Sequence, residues 1–212
     1  MTRHSLARRE RHDLCDLALA LGEDADTLCG TWDAKDLVAH LLVREHRPLG
    51  AIGIVVPPLA GLAEREMARV RRRDFAVLVE RLRDPSLLTP YALPGVEELL
   101  NTAEYFVHHE DLRRAQAGWE PRVLDPTDES RLWAAIKVAG RGLVRPAGVP
   151  VRIERTDTGA TATLRRGADP AVVSGLPSEI AFFLFGRDAV RGLSFSGPQE
   201  RVAKLRRSDL GI

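Results

Sequence analysis

The chain has 212 residues, of which 44% are hydrophobic and 29% are charged, a composition typical of a globular protein that can bury a sizeable core. Its 31 basic and 30 acidic residues nearly cancel, which argues against a nucleic-acid partner bound through bulk charge. Apolar runs are much shorter than the ~18 residues of a membrane-spanning helix, and the charged start does not resemble a secretion signal. We therefore expect a cytoplasmic protein without a nucleic-acid or membrane partner, whose oligomeric state stays open.

Apolar residues at helical spacing divide the first half into four predicted amphipathic helices. These helices run from Ser5 to Leu21, from the capping residues Thr31 or Asp33 to Pro48, from Leu59 to Arg72 with a continuation capped by Asp74 and ending at Arg83, and from Pro94 to Ala115. A packed connection is predicted at residues 51–58 and a loop at residues 86–93. Four such helices predict a four-helix bundle.

The second half changes from helical spacing to the alternating pattern of half-buried strands. A helix over Asp125–Val144 is followed by predicted strands at residues 149–154, 160–164, 171–174 and 193–196, with helices at 177–185 and 198–206. This mixture predicts a small α+β domain. Because Gly, Pro and acidic residues cluster near Gly118–Thr127, we predict domains at residues 1–118 and 126–212.

Two cysteines, Cys15 and Cys29, are expected to be reduced, because a chain without a secretion signal faces a reducing compartment. Cys15 lies among Leu14, Leu17 and Ala18 and is predicted to be a small core residue. Nothing near either cysteine in the sequence indicates a lowered thiol pKa, so we predict neither a disulfide nor a catalytic thiol.

Histidine is the residue type most suggestive of chemistry in this sequence, since all six histidines lie before residue 110 and the last hundred residues have none. Glu104 and His108 are four residues apart on the fourth predicted helix, so both side chains lie on one face and can reach one cation. The same spacing also occurs in solvated or hydrogen-bonded pairs without a metal. His109 points about 100° away from His108 and is predicted to be a surface or interhelical hydrogen-bonding residue.

His40 is the third predicted ligand. It lies in the middle of the second helix, at the border of the apolar stripe, where a histidine can equally be a hydrogen-bonded core residue. Two imidazoles and one carboxylate with a vacant coordination position form a catalytic metal arrangement, because water or substrate can occupy that position. The same donor set also suits iron, nickel or manganese.

Three features together carry a family resemblance: the helix from Trp32 to His40, the Glu104–His108–Asp111–Leu112 helix and the histidine-free α+β tail. They resemble the DinB-like metal-binding proteins of actinobacteria, and more closely the family that shares its N-terminal domain with mycothiol-dependent maleylpyruvate isomerase. Residues 42–48, 57–61 and 106–111 resemble a subgroup of this family that has no assigned reaction.

The resemblance implies a DinB-like four-helix metal-binding domain at residues 1–118 and a sterol-carrier-like α+β domain at residues 126–212. It implies that a divalent metal, zinc in the isomerase, is held by His40, Glu104 and His108. Asp111 would accept a hydrogen bond and orient one of these ligands. In the isomerase the second domain helps to close the substrate pocket with a basic residue, which this sequence does not identify.

The resulting hypothesis is a metal-dependent thiol transferase or isomerase that uses mycothiol and an electrophilic substrate of unknown identity. A divalent cation lowers the pKa of a thiol and makes thiolate available at neutral pH. Arg44 or Arg47 could bind an anionic group, although both also fit a solvated helix end. The alternative is a non-catalytic metal-binding or small-ligand-binding regulatory protein. A Ser-His-Asp order, a phosphate-binding loop and a dinucleotide fingerprint are absent from the sequence.

Overall fold

The computed structural model of the chain describes residues 5–46, 60–84 and 96–211. Over these ranges it contains eight α-helices and one four-stranded sheet, which confirms the prediction of a mixed α and β protein. The chain divides into two compact units, Met1–Trp119 and Glu120–Ile212. None of the described helices is long and apolar enough to span a membrane.

The first unit is helical throughout its described residues. Its five helices are α1 (Leu6–Leu21), α2 (Ala34–His46), α3 (Ala60–Arg71), α4 (Phe75–Arg83) and α5 (Val96–Arg114). Helix α1 packs along α5 and also contacts α4, whereas α2 packs against α3 and α4. The predicted connection at 51–58, the loop at 86–93 and Pro94 lie outside the described residues. The four-helix bundle stays a prediction, because five helices are described here.

Two helix starts in this unit are capped by side chains, one at Ser5 and one at the predicted cap Asp74. The Ser5 hydroxyl accepts a hydrogen bond from the Arg8 backbone N–H at 3.3 Å, and Asp74 Oδ1 accepts one from the Val77 N–H at 3.2 Å. Side-chain caps of this kind satisfy backbone donors that have no partner inside the helix. The predicted break between α3 and α4 at Asp74 is therefore confirmed.

The core of the first unit is built from the apolar stripes of these helices, and Cys15 is part of it. Cys15 is fully buried among core residues, and its thiol donates a weak hydrogen bond to the Val79 carbonyl at 3.7 Å. Burial raises the pKa of the Cys15 thiol to about 12. Both cysteines are free, so the predictions of a core Cys15 and of no disulfide are confirmed.

The second unit combines the sheet with three helices and a short 3₁₀ turn. Its elements are α6 (Pro126–Leu143), the 3₁₀ turn Arg145–Ala147, β1 (Val151–Arg155), β2 (Thr161–Arg165), β3 (Ala171–Gly175), α7 (Pro177–Leu184), β4 (Ser194–Ser196) and α8 (Gln199–Arg206). The strand order is β2-β1-β3-β4, with β1 parallel to β3 and the two outer pairs antiparallel. Asp125 caps α6 by accepting from the Thr127 and Asp128 N–H groups.

Buried polar groups in this unit lie at the ends of its elements. Glu129 accepts hydrogen bonds from the Ser178 N–H at 2.9 Å and from the Ser178 hydroxyl at 2.8 Å, at the start of α7. Arg155, the last residue of β1, pairs with Asp157 in the following turn at 2.6 Å and lies over the Trp133 ring. These contacts hold together the connections between neighbouring elements.

Candidate metal centre

Two histidine rings from facing helices meet inside the first unit. His40 of α2 and His108 of α5 are 7% and 6% exposed, and their ring centroids lie 5.3 Å apart in an edge-to-face arrangement. The Trp32 ring contacts His40 at a centroid distance of 5.0 Å. The two histidines, predicted as ligands on separate helices, are thus neighbours, and water has little access to their rings.

Glu104 completes this set of donors from one turn before His108 on α5. Its Oε1 lies 3.6 Å from His108 Nε2, and the ligand atoms of His40, Glu104 and His108 all lie within 4.8 Å of one another. Donor atoms that share one tetrahedral cation are roughly 3.3 Å apart, so small side-chain movements would bring these three onto one ion. The donor types and their convergence fit a divalent cation, and its binding by these residues stays a prediction.

Asp111 lies behind the His108 ring, on the side away from Glu104. This carboxylate is fully buried, and its Oδ2 is 3.0 Å from His108 Nδ1. A carboxylate that accepts from one imidazole nitrogen fixes the orientation of the ring and the position of its proton. With Nδ1–H donated to Asp111, the Nε2 atom of His108 faces Glu104.

Arg44 sets the charge of Glu104. The Arg44 Nε atom lies 3.4 Å from Glu104 Oε1, and Arg44 Nη1 donates to Asn101 Oδ1 at 2.7 Å. Burial alone would raise the pKa of Glu104, but Arg44 and then His108 and His40 outweigh burial and lower it to about 2. Arg44 therefore holds a carboxylate of the site, whereas Arg47, the other predicted anion ligand, lies outside the described residues.

The surroundings of His108 favour its protonated form when no cation is bound. Burial would lower the pKa of His108, but hydrogen bonds with Asp111, Cys29 and Glu104 outweigh it and raise this pKa well above its usual range. An incoming cation must then displace a proton from the ring, which makes metal affinity depend on pH.

Cys29 has polar neighbours in the fold that the sequence around it did not indicate. The Cys29 thiol donates to Asp111 Oδ2 at 3.0 Å, and Sγ lies 3.8 Å from His108 Nδ1. Cys29 is in the loop between α1 and α2, 82 residues before Asp111, and it approaches the end of α5 only through the tertiary fold. No local spacing could have indicated this contact.

A buried ion pair extends the polar groups from the site toward α1. Arg11 donates to both carboxylate oxygens of Glu45, at 2.9 and 2.8 Å, and the Tyr105 hydroxyl donates to Glu45 Oε1 at 2.7 Å. Asn101, which accepts from Arg44, also lies 3.4 Å from Glu45 through its Nδ2 atom. Sequence reasoning did not assign roles to Arg11, Glu45 or Asn101.

His109 stays outside this site, as predicted. Its Nδ1 atom lies 2.8 Å from Glu10 Oε2 of α1, and both residues are buried. The prediction of an interhelical hydrogen bond is confirmed, and this pair contributes to the contact of α1 with α5.

Neither a protein-family model nor a curated protein matches this chain. Among solved structures, the chain is similar to the crystal structure of the mycothiol-dependent maleylpyruvate isomerase, with 19% identity, a TM-score of 0.61 and 90% of each chain covered. It is also similar to a mutant of that isomerase in which a histidine is replaced by alanine, with 17% identity, a TM-score of 0.61 and the same coverage. At these identities the likeness shows a similar fold.

Proposed function

We propose that this protein is a divalent-metal-dependent transferase or isomerase that uses a low-molecular-weight thiol such as mycothiol. His40, Glu104 and His108 would hold the ion, with zinc as the proposed metal. The observation that supports this most is the convergence of their three ligand atoms within 4.8 Å. The fold similarity to the mycothiol-dependent maleylpyruvate isomerase supports the choice of a thiol cosubstrate.

The surrounding residues would prepare these donors for the ion. When bound, a divalent cation would lower the pKa of a thiol cosubstrate and supply thiolate at neutral pH. Asp111 would hold the proton of His108 on Nδ1, so that the Nε2 lone pair is directed toward the ion. Arg44 keeps Glu104 ionised, and Trp32 restricts the ring of His40.

We also propose that residues 1–118 form a DinB-like metal-binding domain and residues 126–212 a sterol-carrier-like domain. Residues 126–212 contain no histidine, so the second domain would supply no imidazole ligand.

Metal analysis of the purified protein tests the ligand assignment. We expect about one divalent ion per chain, and loss of most of it in His108→Ala, because one of three protein ligands is removed. Arg72→Ala is the control, since Arg72 is an exposed residue directly after α3, and this variant should keep its metal. Full retention of the ion by a folded His108→Ala variant would overturn the assignment.

A thermal-shift measurement with mycothiol tests the thiol separately. A ligand that binds only the folded state must raise the melting temperature, so we expect mycothiol to stabilise the zinc-loaded protein. The shift should be absent in the metal-depleted protein, with circular dichroism confirming that this protein is folded. Metal binding without any shift would reject the thiol cosubstrate and favour the non-catalytic metal-binding alternative.

A further inference from the structure

We infer that Cys29 Sγ, His108 Nδ1 and Asp111 Oδ2 form a second position for a thiophilic divalent cation, on the opposite edge of the His108 ring from Glu104. This position goes beyond the proposed function and shares one residue with it. The three ligand atoms lie 3.0, 3.0 and 3.8 Å apart. Cys29 and Asp111 belong only to this cluster, whereas His108 is shared with the cluster of His40 and Glu104.

The distances suit a cation that prefers sulfur and nitrogen ligands. Zinc binds thiolate at about 2.3 Å, imidazole at about 2.0–2.1 Å and carboxylate at about 2.0–2.2 Å, so tetrahedral donors are roughly 3.3–3.6 Å apart. The observed separations lie on either side of that range. Cadmium and cobalt(II) fit the same thiolate-containing set and serve as probes.

The loop that carries Cys29 is held in place before any ion binds. Thr27 Oγ1 accepts from the Cys29 N–H at 3.2 Å and donates to the Trp32 carbonyl at 2.7 Å, which closes the turn. The Leu28 N–H donates to the Asp111 carbonyl at 3.1 Å, which joins the loop to α5. The sulfur is therefore positioned by the backbone, and binding needs little additional ordering of the chain.

The two positions exclude one another because they use the two nitrogens of one ring. A neutral imidazole has a proton on one nitrogen and a lone pair on the other, so it binds one ion through either Nδ1 or Nε2. An ion at Cys29 would displace the thiol proton to solvent, and its bond to Nδ1 requires the single proton of the neutral His108 ring to lie on Nε2, facing Glu104. Occupation of the Cys29 position therefore removes His108 from the His40–Glu104 set.

Cobalt(II) titration of the full chain distinguishes the two positions, because thiolate ligation adds a near-ultraviolet charge-transfer absorption that imidazole and carboxylate ligands do not produce. In His40→Ala, which keeps all three residues of the second position, we expect this absorption with one cobalt per chain. It should disappear in His40→Ala/Cys29→Ser. It should persist in His40→Ala/Cys15→Ala, the matched control at the other cysteine.

Glu104→Gln provides the same test without altering His40, and circular dichroism establishes that each variant is folded. Absence of the thiolate absorption in both folded single variants, or its persistence without Cys29, would overturn the second position. If wild-type protein then still binds cobalt through His108, the proposed function is unaffected. Conversely, a thiolate band in wild type that neither His40→Ala nor Glu104→Gln alters would support the second position and contradict the first.

Discussion

Buried charged groups serve different purposes in the two units of this chain. In the first unit, the buried Arg11 of α1 and Glu45 of α2 contact each other across neighbouring helices. In the second unit, Glu129 and Arg155 lie near the ends of elements and bind a helix start and a turn.

In the first unit, folding removes a pair of opposite charges from water, which costs free energy. A buried ion pair between helices is rarely more stable than an apolar pair of similar volume, but removing one partner is strongly destabilising. The Arg11–Glu45 pair is joined through Asn101 to Arg44, which contacts Glu104. We interpret these residues as the support that holds one carboxylate of the candidate metal centre.

The largest effect is expected for Glu45→Ala. This change leaves the buried Arg11 guanidinium without its carboxylate partner and should lower the free energy of unfolding by about 3–5 kcal/mol. Chemical denaturation measures it. Glu80→Ala is the control, because Glu80 forms an exposed pair with Arg83, and its loss should cost less than about 1 kcal/mol. Equal effects of the two variants would contradict a distinct role for the buried pair.

A smaller effect is expected in the second unit for Glu129→Ala. The change removes both hydrogen bonds to Ser178 at the start of α7 and should cost about 1–3 kcal/mol. Glu129→Gln, which keeps one acceptor oxygen, should lose less. A loss of unfolding free energy as large as that of Glu45→Ala would contradict the proposed difference between the buried charges of the two units.

The pH dependence of the free energy of unfolding provides a second test of the role of Glu129. Burial raises the pKa of Glu129 above 4.5, although the hydrogen bonds from Ser178 act in the opposite direction. The folded state therefore favours the protonated form more than the unfolded state does. The stability from this shift is fully present below the unfolded pKa and is lost as pH rises through the folded pKa. Relative to Glu129→Gln, the wild type should therefore become less stable as pH increases over that window, measured by urea denaturation at several pH values.

Local features of the sequence predicted much of the fold. The helix starts at Ser5, Asp74 and Asp125 were predictable because a cap acts on backbone groups two or three residues away. Glu104 and His108 were predictable neighbours because four residues span about one helical turn. Each of these interactions is determined within a short segment.

Contacts between distant segments could not be predicted in this way. Cys29 contacts Asp111 from 82 residues away, and Arg11 contacts Glu45 from 34 residues away. Neither pair has a periodic spacing that places both residues on one face. His40 was predicted as a ligand from its place on the second helix and from a family resemblance, whereas the contact of the Cys29 thiol with His108 depends on the path of the loop from Thr27 to Trp32.

The smallest effect is expected for Asp157→Asn, because the Arg155–Asp157 pair lies beside an exposed turn. The hydrogen bonds from Arg155 lower the pKa of Asp157 below 3.8, so the ionised form contributes stability above the unfolded pKa that is lost as pH falls through the folded value. Near neutral pH, Asp157→Asn should cost about 0.2–1 kcal/mol, measured by urea denaturation, since a partly solvated pair contributes little. The difference from wild type should vanish in acid, where Asp157 is protonated. A loss of unfolding free energy comparable to that of Glu45→Ala would mean that the burial of Arg155 in β1 determines the strength of the pair more than the exposure of Asp157 does. The stability of the second unit would then depend on a buried charge, as that of the first unit does.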